Sequence, residues 1–306
     1  MAVKHFRSAK PLESGAHVAL IAPAGPLQTP EDLPRAQENT RLLGWEPIVG
    51  SHASDRVGYL AGSDRDRLND INRALRDPKI DAIWCLRGGY GMMRILSGID
   101  YDAMSRTPKV IIGYSDVTAL HAAVQRKCRL VTYHGPTARE PMTDMSRDSL
   151  RRAIVEQTDS CGVAPNAREI NAGVAEGRLV GGNLAVLTSL CGTPFAPDLS
   201  DGILILEDIN EPVYRIDRML QQLKLAGAFN GCRAIVFGEC VKCPDDAGGG
   251  GRAFDEVLGE IAHSLGVPCL AGIPVGHIAE QWTIPLGAMA TIDTAKRSIS
   301  VNSYTS

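Results

Sequence analysis

Val110-Ile111-Ile112-Gly113-Tyr114-Ser115-Asp116 is a short apolar run that ends in a glycine-bearing turn, and residues 117–126 then carry a helical pattern. A buried strand, a tight turn and a helix make the repeating unit of an α/β sheet with parallel strands. The same order recurs upstream. Val18-Ala19-Leu20-Ile21-Ala22 runs into the turn Pro23-Ala24-Gly25-Pro26, and residues 31–43 read as a helix that Gly44 stops. A second helix over 64–75 places Leu68, Ile71 and Leu75 on one face. Ile83-Trp84-Cys85-Leu86 is another buried strand, running into Arg87-Gly88-Gly89-Tyr90-Gly91. The pattern predicts a parallel sheet with helices on both faces, and in such sheets ligands gather at the carboxyl ends of the strands. Both glycine-bearing turns lie there.

Between about 138 and 171 the pattern weakens into polar sequence with one helical stretch near 150–155, which reads as an inter-domain connection. The expected division is 1–165 and 166–306. The second unit offers Gly177 to Gly182, a strand at Ile203-Leu204-Ile205-Leu206, a helix over 214–225, a strand over 234–237 and a helix over 254–265. The glycine-rich tip 247–251 reads as a surface loop, because no Lys-Ser/Thr follows to make it a phosphate loop.

A chain of 306 residues has room for about two domains. With 44% hydrophobic and 22% charged residues it has the composition of a soluble globular protein. A net charge of −3 with scattered basic residues argues against nucleic acid or an anionic membrane as partner, since both need a concentrated positive field. The first fifteen residues lack the apolar core of a secretory signal, and no window approaches the roughly 18 apolar residues of a spanning helix. The expectation is a cytoplasmic protein. Most of the eight cysteines, such as Cys85 and Cys191, sit in apolar settings where a thiol acts as a small hydrophobe. Cys240 and Cys243 form one C-x-x-C without a second pair, so neither a metal nor another cofactor is expected.

Four places could carry chemistry. Ser115 sits on a strand-to-helix turn, which lifts a side chain clear of the sheet and aims the following N–H groups at whatever it attacks; an ordinary helix cap would look similar. Arg87 to Gly91 could supply a further oxyanion donor or be a plain tight turn. Glu207 closes an apolar strand, where a carboxylate can orient a histidine, or could pair with Arg215 or Arg218. His277 follows Gly272-Ile273-Pro274-Val275-Gly276, and His134 in Tyr133-His134-Gly135-Pro136 competes with it as a base.

These blocks together resemble the LD-carboxypeptidase family, the muramoyltetrapeptide carboxypeptidases and their relatives that give immunity to microcin C. The resemblance covers most of the chain. Besides the segments already quoted it takes in Gly181-Gly182-Asn183-Leu184, Gly192-Thr193-Pro194, Leu206-Glu207-Asp208 and Tyr214-Arg215-Ile216-Asp217-Arg218. Glu211-Pro212-Val213-Tyr214 departs from it, since many members place proline directly before the tyrosine. The resemblance implies a flavodoxin-like N-terminal domain carrying Ser115 as nucleophile and a smaller C-terminal α/β domain bringing His277 as general base and Glu207 as its orienting acid. The site would lie between the domains, with the N–H groups of Gly88 (or Gly89) and Asp116 as oxyanion hole. It further implies a homodimer acting on a small peptide such as a murein tetrapeptide, with a microcin-type peptidyl-nucleotide as the alternative. Arg87, Gly89 and Tyr90 are expected to contact substrate. A guanidinium at Arg87 can grip a terminal carboxylate through two hydrogen bonds, or only brace the turn, or pair with an acid such as Asp116.

Overall fold

The apolar runs of the first half form five strands, β1 (His17–Ile21), β2 (Glu46–Val49), β3 (Ala82–Cys85), β4 (Val110–Gly113) and β5 (Thr132–His134). They are seen in a computed structural model that describes residues 6–244, 251–302 and 304. Residues 247–250 of the glycine-rich tip lie outside the described residues. All five strands are parallel, in the order 2-1-3-4-5 that defines the flavodoxin-like sheet. Strand alternation divides the core. Ala19, Ile21, Ile83, Cys85 and Ile111 pack on one face, while Val18, Leu20, Ala82, Trp84, Val110 and Ile112 pack on the other. Burial of both faces explains why the strands read as continuous apolar runs.

The helices Asp32–Leu42, Asp64–Arg76 and Thr118–Cys128 cover the sheet. Ser63 and Asp66 form a reciprocal capping box at the start of the second. Two strands escape the sequence pattern. β2 is an edge strand with three of its four residues exposed and Pro47 within it, and β5 has only three residues.

The second half adds β6 (Gly162–Val163), β7 (Arg168–Asn171), β8 (Val174–Asn183), β9 (Gly202–Ile209), β10 (Ala234–Val241), β11 (Cys269–Ala271), β12 (Ile284–Leu286), β13 (Met289–Asp293) and β14 (Ser298–Val301). Eight of these make a mixed sheet in the order 6-14-13-8-9-10-11-7, with β8 to β11 parallel at its centre. The helices Val213–Leu225 and Phe254–Leu265 pack on it through Ile216, Leu220, Leu258 and Ile261. The fold is therefore α/β with two sheets. β12 leaves the second sheet and pairs antiparallel with β5 of the first, while β6 belongs to the second sheet although it precedes residue 165. No described helix is long and apolar enough to cross a membrane.

Candidate active site

Gly113 ends β4, and two residues later Ser115 adopts φ +64°, the left-handed region that costs a non-glycine residue of order 1–3 kcal/mol. A short 3₁₀ turn, Ser115–Val117, then feeds the helix Thr118–Cys128. A strained residue between strand and helix is the geometry of a nucleophile elbow.

The turn after β3 lies against this elbow. A Cβ built on Gly88 would stand 2.8 Å from Ser115 Cβ, 3.0 Å from Ser115 Oγ and 3.1 Å from the Asp116 nitrogen, so only glycine fits. Gly89 faces elsewhere. It has φ +95°, and its Cβ would meet Gly25 Cα at 3.2 Å. Gly25 N–H donates to the Gly88 carbonyl at 2.8 Å, tying the turn after β1 to the turn after β3. The Met92 N–H donates to the Asp116 carboxylate at 2.8 Å, tying that turn to the elbow. Burial pushes the Asp116 carboxyl up to about 6, against the pull of the Met92 N–H and the Arg67 charge. Arg67 is buried and donates to the carbonyls of Pro23 (2.7 Å) and Gly91 (2.8 Å) while pairing with Asp64. Nothing in the sequence singled out Arg67.

Glu207 sits near the end of β9 with no exposed surface, and its Oε2 accepts from His277 Nδ1 at 2.8 Å. A carboxylate acceptor on Nδ1 fixes the proton there and leaves Nε2 as the basic nitrogen. Gly276, at φ +120°, makes this approach possible, because a Cβ there would stand 3.0 Å from Glu207 Oε2. Burial pulls the His277 pKa down, but the Glu207 hydrogen bond and charge outweigh it and the net shift is upward. Tyr114, the neighbour of Ser115, packs edge-on to the His277 ring with centroids 4.9 Å apart and donates its hydroxyl to Glu140 at 2.6 Å. The elbow and the imidazole are thus adjacent. No hydrogen bond joins Ser115 to His277 among the described residues; such bonds are often long or misaligned until substrate binds.

Two family models match the chain, an LD-carboxypeptidase N-terminal domain over residues 18–135 and an LD-carboxypeptidase C-terminal domain over residues 176–292. The chain belongs to the LD-carboxypeptidase family. It is similar to a probable murein peptide carboxypeptidase of Bacillus subtilis, 37% identical with 94% of this chain and 92% of the relative covered. It is likewise similar to the murein tetrapeptide carboxypeptidase of Pseudomonas aeruginosa, 33% identical with 90% and 92% covered. Among solved structures it resembles MccF in complex with glutamyl sulfamoyl guanosine, with a TM-score of 0.89, 27% identity, and 97% and 99% covered.

Ser115 lies in the first matched segment, and Glu207 and His277 lie in the second. His134 has a different setting. It is fully buried on β5, neither ring nitrogen has a hydrogen-bond partner, and burial pushes its pKa down to about 3. Arg87 does not pair with Asp116. Its Nη1 donates to the Pro26 carbonyl at 2.6 Å, because Asp116 points back to Met92. Arg215 pairs with Glu211 at 3.2 Å rather than with Glu207, whose Oε2 is taken by His277. Pro212 caps the helix Val213–Leu225, so Tyr214 falls in its first turn. Asp208, beside Glu207, was also silent in the sequence. It accepts from Asn183 Nδ2, Ala185 N and Ile209 N, and burial pushes its carboxyl up to about 6. Cys240 and Cys243 are free thiols. Among the described residues, only His52, Asp55 and Asp66 cluster closely enough to share an ion, and neither cysteine is among them.

Proposed function

We propose that this protein is a serine carboxypeptidase that hydrolyses the L,D-peptide bond before a C-terminal D-amino acid, releasing D-alanine from murein tetrapeptide in cell-wall recycling. The observation that carries the proposal is the buried Glu207–His277 hydrogen bond beside the strained Ser115 elbow. In this reading His277 Nε2 takes the Ser115 proton as Oγ attacks the scissile carbonyl. Glu207 stabilises the imidazolium so formed without itself becoming protonated. The N–H groups of Gly88 and Asp116 receive the oxyanion. His277 then protonates the leaving amine, and water hydrolyses the acyl-enzyme with His277 again as base. Arg87, Gly89 and Tyr90 contact the substrate. The serine comes from a unit spanning 1–165 and the acid and base from a unit spanning 166–306. The enzyme works in the cytoplasm, where recycled fragments arrive, as a homodimer and without a metal or organic cofactor.

The murein names of the Bacillus and Pseudomonas relatives support this substrate. A second reading has its own support, since the similar MccF structure holds glutamyl sulfamoyl guanosine. That reading is cleavage of a peptidyl-nucleotide amide. Incubating the protein with murein tetrapeptide and, separately, with a hydrolysable peptidyl-nucleotide tests both. D-Alanine release from the first alone supports the murein reading; cleavage of the second alone replaces it.

A further inference from the structure

The turns after β1, β2 and β3 enclose a groove of about 690 Å³ whose lining includes Pro26, Arg56, Tyr59, Arg87 and Tyr90. It lies outside the carboxyl ends of β1 and β3, where the strand order of this sheet reverses and doubly wound folds place their ligands. Two guanidinium groups line it with no acidic partner. Arg87 Nη1 donates to the Pro26 carbonyl and Arg56 Nη2 to the adjoining Leu27 carbonyl, and neither arginine forms an ion pair among the described residues. Each guanidinium has five N–H donors, so most remain for a ligand. The local charge is unbalanced. Burial lowers the Arg87 pKa, and repulsion from Arg139 and Arg56 adds to it. Asp32, the carboxylate that acts on Arg87, is engaged by the Gln28 and Thr29 N–H groups and lies 3.6 Å from Arg139. Tyr59 and Tyr90 meet edge-on at 5.4 Å, both more than half exposed, as an aromatic wall.

We infer that this groove is the subsite for the residue released by the reaction, with Arg56 and Arg87 sharing its terminal carboxylate and the Tyr59–Tyr90 pair walling its side chain. The inference rests on the carboxypeptidase reading and adds Arg56 and Tyr59 to it. Its spatial logic is that Arg87 directly precedes Gly88, the glycine pressed against Ser115. The cation therefore stands one residue from the oxyanion turn, as the terminal carboxylate stands one residue from the scissile carbonyl. Two planar forks, one from each of two turns and both braced on the Pro26–Leu27 carbonyls, suit a carboxylate better than a point cation would.

The test compares kcat/KM on an L,D-tetrapeptide with a free C-terminus and on its C-terminal amide, for the wild type, Arg56→Gln and Arg87→Gln. The wild type is expected to prefer the free acid. That ratio is expected to drop about tenfold or more in each variant, the scale of one lost hydrogen bond to a charged group. A ratio unchanged in Arg56→Gln, equal losses on both substrates, or no preference in the wild type overturns the subsite. A wild type that cleaves neither form of any L,D-peptide overturns the carboxypeptidase reading instead.

Discussion

Replacing Gly88 by alanine probes the oxyanion turn with one methyl group. The added Cβ would stand 2.8 Å from Ser115 Cβ and 3.0 Å from its Oγ, whereas carbon atoms prefer about 3.5–4.0 Å. One of the two turns must therefore retreat by several tenths of an ångström or more. Overpacking of this kind costs about 1–3 kcal/mol of stability. On the proposed mechanism the retreat also displaces the Gly88 N–H from the developing oxyanion, and loss of one such donor lowers kcat by roughly 10²–10³-fold. Gly89→Ala is the matched comparison; because Gly89 is proposed to touch substrate, its loss is expected to fall on KM rather than on kcat. It meets Gly25 Cα at 3.2 Å and strains a φ of +95°, a comparable insult aimed away from the serine. Steady-state kinetics on an L,D-tetrapeptide, with thermal unfolding of both variants, separate the effects. Gly88→Ala is expected to lose kcat with little change in KM, and far more than Gly89→Ala does at similar stability. A Gly88→Ala enzyme within threefold of wild-type kcat, or equal losses in the two variants, refutes the placement of the oxyanion hole.

Glu207→Gln should lower kcat by about four orders of magnitude, the scale seen when an orienting carboxylate becomes an amide and the tautomer is lost. Because Glu207 raises the His277 pKa, wild-type kcat/KM should fall with decreasing pH through a value above the ordinary histidine value of about 6.5, and the residual activity of the variant should fall at lower pH. By linkage, the raised His277 pKa stabilises the fold fully below 6.5, and that stability is lost as pH rises through the folded value; Glu207→Gln should flatten this dependence in denaturation curves. Asp116, held up at about 6, likewise contributes stability present below about 4 and lost as pH rises through 6. Asp116→Asn keeps an acceptor for the Met92 N–H and should lose that pH dependence while retaining more activity than Asp116→Ala, as denaturation at pH 4 and 7 with parallel kinetics would reveal. Activity should survive a strong chelator; stoichiometric zinc in the purified protein, or inactivation by the chelator, would count against a metal-free enzyme.

The parts of this fold legible in the sequence were those in which one local cause dominates. β3 and β4 are buried on both faces, so their runs are uniformly apolar and each ends in glycine-bearing sequence. β2 and β5 were invisible because edge exposure and a three-residue length erase the pattern. Ser115 and the Gly88-Gly89 pair announce themselves through turn chemistry, but which of the two glycines lies against Ser115 is visible only in the direction of a Cβ. His277 and Glu207 are 70 positions apart, and no local periodicity can join them. The tie between Arg67 and the turns at Pro23 and Gly91 is still less legible, since a helical arginine that follows Asp64 and Asp66 looks like an exposed ion-pairing residue.

What brings Ser115 of one sheet near Glu207 and His277 of the other is also physical. The helix that follows the elbow begins at Thr118, whose Oγ1 accepts from the Asn183 N–H at 3.0 Å. A Cβ on Gly182 would stand 2.5 Å from that same oxygen, so the glycine lets β8 approach the elbow helix directly. Asn183 is the register partner of Glu207 across β8 and β9, and its side chain donates to Asp208 at 3.1 Å. One residue therefore touches the serine's helix through its main chain and the glutamate's strand through both its register and its amide. The β5–β12 pairing adds a second tie, since β12 follows the His277 loop closely in sequence and β5 lies next to β4. With both ties in place, the separation of Ser115 from His277 depends on two short sets of hydrogen bonds rather than on the long connection between the sheets. That dependence gives the buried polar residues Thr118, Asn183 and Asp208 a positioning role that apolar side chains could not supply, since each makes one of these hydrogen bonds.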